Sequence, residues 1–129
     1  MVALDTNVVV RYLVQDDAAQ ALRATRLFRS QQVWLAKTVL LECEWVLRGA
    51  YQFQPAEITA AFRALLGLAN VEVEDAPAVA AALRATERGL DFADALHAAS
   101  AGPGMRFLTF DAVFTKRSAK AGVAKVELL

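Results

Sequence analysis

Four carboxylates spread along the 129-residue chain, Asp5, Glu42, Asp94 and Asp111, are placed where they could serve a cation. Carboxylate oxygens without an accompanying His or Cys suit magnesium or manganese rather than zinc. Several such groups within a few ångströms cannot all stay ionised unaided, because like charges raise one another's pKa. A divalent metal removes that conflict. It also lowers the pKa of a bound water and stabilises the leaving oxygen of a phosphodiester. The chemistry that these residue types point to is therefore metal-dependent phosphodiester hydrolysis, with no histidine base required.

The elements around each acid must bring them together. An apolar run over 2–4 stops at Asp5, and Thr6 and Asn7 open the next segment. That pattern predicts a buried strand ending in a carboxylate, with a helix directly after it. Asp111 follows a second predicted strand, 106–110. Strand ends and the helix starts they feed share one edge of a parallel sheet, where α/β proteins bind ligands, so convergence of the acids is expected there. Asp5 has a plainer explanation as well, since Asp is a favoured helix N-cap.

The acids on helices are sorted by their neighbours. In the helix expected over 38–48, capped by Thr38, Glu44 has Arg48 four residues on, the arrangement of a surface ion pair. Glu42 has Thr38, Val39, Trp45 and Val46 around it and no basic partner along the helix. It reads as an acid on an apolar stripe, a costly placement unless something compensates the charge. Asp94 lies inside the alanine-rich helix after Gly89, where capping does not explain it. Asp91 sits where a cap is needed, so capping and a site role both stand for it. His97, alone on that helix, reads as a structural partner more readily than as a catalyst.

The rest of the chain alternates between the two periodicities. Helices are expected over 6–14, where the β-branched run Val8 to Val10 is unfavourable, and from Asp16 and Asp17 to Ser30. The second of these has an apolar side of Ala18, Ala21, Leu22, Thr25 and Phe28. Its Arg23, Arg26 and Arg29 form a stripe explained by a solvated face or, alternatively, by RNA phosphates. Strands follow over 33–36 and, edge-like, 71–74. Further helices start at Pro55, with Ile58, Phe62, Leu65 and Leu66 on one face, and at Pro77, closed by Gly89. Gly102-Pro103-Gly104 breaks the alanine-rich helix. A short helix with Lys116, Arg117 and Lys120 near its end leads to a last strand over 123–129. Strands alternating with helices predict a parallel α/β sandwich in one domain, residues 1–129.

Composition narrows the function classes. Hydrophobic residues make up 57% of the chain, and 14 Lys and Arg balance 14 Asp and Glu. No global field recruits nucleic acid, so local basic patches and bound metal must do so. The high apolar fraction, with Tyr12, Trp34, Trp45, Tyr51 and Phe53, predicts a surface used for oligomerisation or a partner. The single Cys43 excludes an internal disulfide and a multi-cysteine zinc site and suits a reducing cytoplasm. No membrane span or signal peptide is expected.

Leu4-Asp5-Thr6-Asn7, Leu41-Glu42 with Trp45-Val46-Leu47, Asp91-Phe92-Ala93-Asp94-Ala95-Leu96 and Thr109-Phe110-Asp111 together resemble the PIN domain, most closely toxins of the VapC type. The resemblance covers essentially the whole chain. It implies a three-layer α/β/α sandwich with a central parallel sheet and magnesium-dependent (or manganese-dependent) endonuclease action on RNA. Homodimerisation and inhibition by a small antitoxin encoded alongside are implied too. Asp5, Glu42, Asp94 and Asp111 would be the metal ligands and catalytic acids, with Asn7 supporting the first and Thr109 lining the site. Asp91 also matches. His97 departs from the pattern, standing where relatives mostly carry an apolar or small residue. Two alternatives remain at this point: a receiver-like signalling domain with Asp75 as phosphoacceptor, and a PIN-like scaffold without activity.

Overall fold

The computed structural model describes residues 1–123 and 125–129. Its chain divides into two compact units, Met1–Glu74 and Asp75–Leu129. In the first, strands β1 (Val2–Ala3), β2 (Val33–Leu35) and β3 (Val71–Val73) pair in that order, all parallel. Val2 lies opposite Val33, and Val33 opposite Val71. Parallel neighbours require a long crossover, and each here contains two helices. Helices α1 (Thr6–Val14) and α2 (Ala18–Ser30) join β1 to β2. Helices α3 (Lys37–Gly49) and α4 (Pro55–Leu66) join β2 to β3. Val9, Val33, Leu35, Leu40, Leu47, Phe62 and Leu65 form the buried interior of this unit.

Burial explains why α1 tolerates its β-branched run, since Val9 and Val10 are both core residues. In α2 the face differs from expectation. Ala21, Ala24 and Phe28 are buried, while Ala18 and Leu22 are exposed. Ala21 and Phe28 face inward as expected, Phe28 stacking on Tyr12 of α1 with ring centroids 4.1 Å apart, while Ala24 takes the inward place expected of Leu22. The start of α3 is also corrected. Thr38 does not cap it. The helix begins at Lys37, whose backbone N–H donates to the Glu74 carboxylate at 2.9 Å, so the acceptor comes from the residue after β3.

The second unit contains α5 (Ala76–Glu87), α6 (Phe92–Ser100), β4 (Phe107–Thr109), α7 (Ala112–Lys120) and β5 (Val126–Leu128). Strands β4 and β5 are parallel, with Phe107 opposite Val126 and Thr109 opposite Leu128. Small residues let α5 and α6 approach closely, Ala78 and Ala82 on one and Ala95 and Ala98 on the other being buried. Gly89, at φ 103°, makes the turn between these helices in a conformation that few other residues adopt. Both strands are shorter than expected from sequence. Residue 124, inside the strand expected over 123–129, lies outside the described residues.

Among the described residues, helices and strands alternate and every strand pairing is parallel. This is the α/β class expected of a PIN-like sandwich. No helix among them is long and apolar enough to cross a membrane.

Candidate active site

In the first unit, Asp5 ends the loop after β1 and caps α1, its Oδ1 accepting from the Thr6 N–H at 2.9 Å. One carboxylate oxygen suffices for that cap, and the exposed side chain keeps the other for a second partner. Capping and cation binding are therefore compatible at this residue. Asn7, two residues further on, is exposed and lines an open groove of about 340 Å³ between α1 and α2, together with Arg11, Gln20 and Arg23. Arg11 is held there by Gln20, Asp16 and the Tyr51 hydroxyl. Arg23, Arg26 and Arg29 are all exposed, as a solvated face and a contact with RNA phosphates would both require, and Arg23 also borders the groove.

The two glutamates of α3 exchange the environments expected of them. The buried face is Leu40, Cys43, Glu44 and Leu47, spaced three and four apart. Glu44 therefore points inward, only 6% exposed, and its carboxylate accepts from Arg48 Nε at 2.9 Å. The ion pair forms as expected, but it is not a surface pair. Glu42 is exposed, and so is Trp45, at 67%. The stripe expected around Glu42 is thus a solvent-facing one, and Glu42 needs no buried counter-ion to be tolerated there. An exposed acid remains accessible to a cation.

Cys43 reports where these acids lie. Burial, and then the negative charges of Glu42 and Asp5, push its thiol up to about 12. Both carboxylates thus act on one buried sulfur, whose S–H faces the Thr6 carbonyl at 4.0 Å. The thiol is an inert packing group. Beside Asp5, the buried Thr6 hydroxyl has no hydrogen-bond partner among the described residues.

In the second unit, Asp91 caps α6, accepting from the Asp94 N–H at 3.3 Å. The capping explanation for Asp91 is therefore realised. Asp111 caps α7 through the Phe114 N–H at 3.0 Å, while its own N–H donates to the Thr109 hydroxyl at 3.0 Å. Thr109 thus orients the segment that carries the last acid. Asp94 is half-buried, and its carboxylate accepts no hydrogen bond among the described residues. Its pKa is raised, first by burial and then by Asp91 and Asp111, with His97 and Arg117 opposing. The structure brings Asp94 and Asp111 into each other's field, with His97 an exposed neighbour.

The donor set fits a hard divalent cation: carboxylates throughout, mutually repelling in the second unit, with the only thiol buried and protonated. Among the described residues, no group of three His, Cys, Asp or Glu side chains is already arranged to hold a metal ion. The raised pKa has a measurable consequence. A carboxylate whose pKa is higher folded than unfolded destabilises the fold, fully above the folded value, and the penalty disappears below the ordinary carboxylate range. Asp94→Asn is expected to raise metal-free stability at neutral pH by up to about 1 kcal/mol, reduced by partial solvation. The gain should vanish in acid. Chemical denaturation at the two pH values checks this, and a destabilised variant would make Asp94 a structural hydrogen-bonding residue instead.

The PIN domain model matches residues 2–120, and the chain belongs to the PIN domain family. PIN domains are typically nucleases that use divalent metal ions, which places the chain in the hydrolase class. No curated protein and no solved structure matches the sequence. The family assignment does not favour the receiver-like alternative. Asp75, its would-be phosphoacceptor, takes a left-handed conformation (φ 52°) at the start of α5.

Proposed function

We propose that this chain is a metal-dependent endoribonuclease and the toxin of a prokaryotic type II toxin–antitoxin pair of the VapC type. It acts in the cytoplasm as a homodimer until a small antitoxin binds it. The observation carrying this reading is that the family match, residues 2–120, includes all four acids. The match also runs through both units, which supports treating residues 1–129 as one domain whose acids serve one reaction. The toxin assignment rests on the motif resemblance, and the dimer on the high apolar fraction together with aromatic side chains left in water, Trp45 of α3 among them.

Asp5, Glu42, Asp94 and Asp111 would hold magnesium or manganese. When bound, such a cation lowers the pKa of an attacking water and neutralises charge on the leaving oxygen. The chain's own residues supply the placement. Asp5 and Asp111 are fixed by their caps, each with an oxygen to spare. Thr109 fixes the backbone of Asp111, and Asp91 fixes the start of the helix that carries Asp94.

Purified free of any partner, the protein should cut structured RNA with magnesium or manganese and stop when the metal is chelated. Sequencing RNA 5′ ends in cells after inducing this chain alone should show discrete new termini. Cleavage that persists in chelator would overturn the metal-dependent reading, and absence of cleavage with either metal would overturn the nuclease.

A further inference from the structure

Phe110 is the most solvent-exposed of the large apolar side chains in the described structure, at 81%. It stands between two residues of the candidate site, Thr109 and Asp111. The segment is pinned on its C-terminal side. The Asp111 N–H donates to the Thr109 hydroxyl, the Asp111 carboxylate accepts from the Phe114 N–H, and the Thr115 hydroxyl donates to the Asp111 carbonyl. An aromatic ring presented to water from a fixed backbone suits a flat partner, because only the ring's own rotamers remain to be ordered on binding.

We propose that Phe110 is a stacking platform for one unpaired base of the RNA, a substrate-positioning residue beside the acids. This rests on the ribonuclease reading. Ionic contacts beside Asp94 and Asp111 can engage the phosphates of an approaching strand but leave its bases unheld. A base offers an uncharged π-face, and stacking on an aromatic side chain is the common means by which proteins hold single strands. The cations required for the flanking phosphates are on the next element. Lys116, Arg117 and Lys120 of α7 are exposed, and the Arg117 charge reaches Asp94. A second protein copy fits the patch less well. Covering Phe110 in a symmetric contact would take the exposed Asp111 carboxylate out of water opposite a like charge.

The test uses full-length Asp5→Asn protein with magnesium, so that RNA survives the measurement, and a short fluorescein-labelled single-stranded RNA read by anisotropy. Adding Phe110→Ala should weaken binding about five- to a hundredfold and leave the melting temperature unchanged, since the ring packs on little. Phe110→Trp should keep the affinity, and its added tryptophan fluorescence should be quenched by the single strand but not by the duplex of the same sequence. Unchanged affinity in Phe110→Ala overturns the proposal, as does unquenched binding by Phe110→Trp. A change of oligomeric state in Phe110→Ala at unchanged RNA affinity overturns it too, assigning the ring to a protein contact. If the wild-type chain cuts RNA while these variants bind normally, only this inference fails. If the wild type neither cuts nor binds RNA, the ribonuclease reading falls with it.

Discussion

Asp5→Asn is expected to lower RNA cleavage about a thousandfold, roughly 4 kcal/mol in the barrier, the scale of losing one charged contribution to metal-centred stabilisation. The substitution isolates charge from fold. Asn is as good an N-cap as Asp, and its Oδ1 can accept from the Thr6 N–H as Asp5 does. The melting temperature should therefore barely change while turnover collapses, as single-turnover cleavage beside thermal denaturation would show. Wild-type cleavage by this variant would sink the assignment. Glu44→Gln is the matching control. The amide oxygen can still accept from Arg48, whose half-exposed head remains hydrated, so the stability cost stays near ~1 kcal/mol and cleavage persists. Loss of cleavage by a folded Glu44→Gln protein would move the role from Glu42 to Glu44.

Leu47→Ala should destabilise the protein by about 2–5 kcal/mol, the range for deleting a fully buried leucine side chain, transfer loss and cavity together. Leu47 is 0% exposed on the same face of α3 as Leu40, Cys43 and Glu44. Glu42 is on the solvent side of that helix, so the damage reaches it only through the helix backbone. Urea unfolding should show a lower midpoint at unchanged slope. Cleavage per folded molecule, measured well below the melting temperature, should match wild type. A cost under about 1 kcal/mol would mean that α3 is not held by this face.

Local chemistry made much of this protein readable from its sequence. Thr6–Val14 and Pro55–Leu66 were expected as helices because capping, proline and apolar spacing act over a few neighbouring residues. The caps at Asp5 and Asp91 are of the same kind, since a short acid before a helix finds its N–H partners within three residues. Asp111, expected only as an acid after a strand, caps α7 in the same way. The four acids were singled out for the same reason, each being visible beside a strand end or on a helix.

What only the tertiary structure decided is which side of each helix faces inward and where distant partners come from. Glu42 and Glu44 are two residues apart, and their neighbours along the helix suggested a partly apolar setting for the first and a surface one for the second. Packing of Leu40, Cys43 and Leu47 turned Glu44 in and Glu42 out. On α2, Ala24 rather than Leu22 turned inward, and the start of α3 depended on a carboxylate 37 residues away. The raised pKa of Asp94 depends on Asp111, 17 positions later, as well as on nearby Asp91. Periodicity specifies that a helix has an apolar stripe. When several stripes are possible, contacts made far along the chain select among them, because burial free energy is summed over the whole interface and not over one turn.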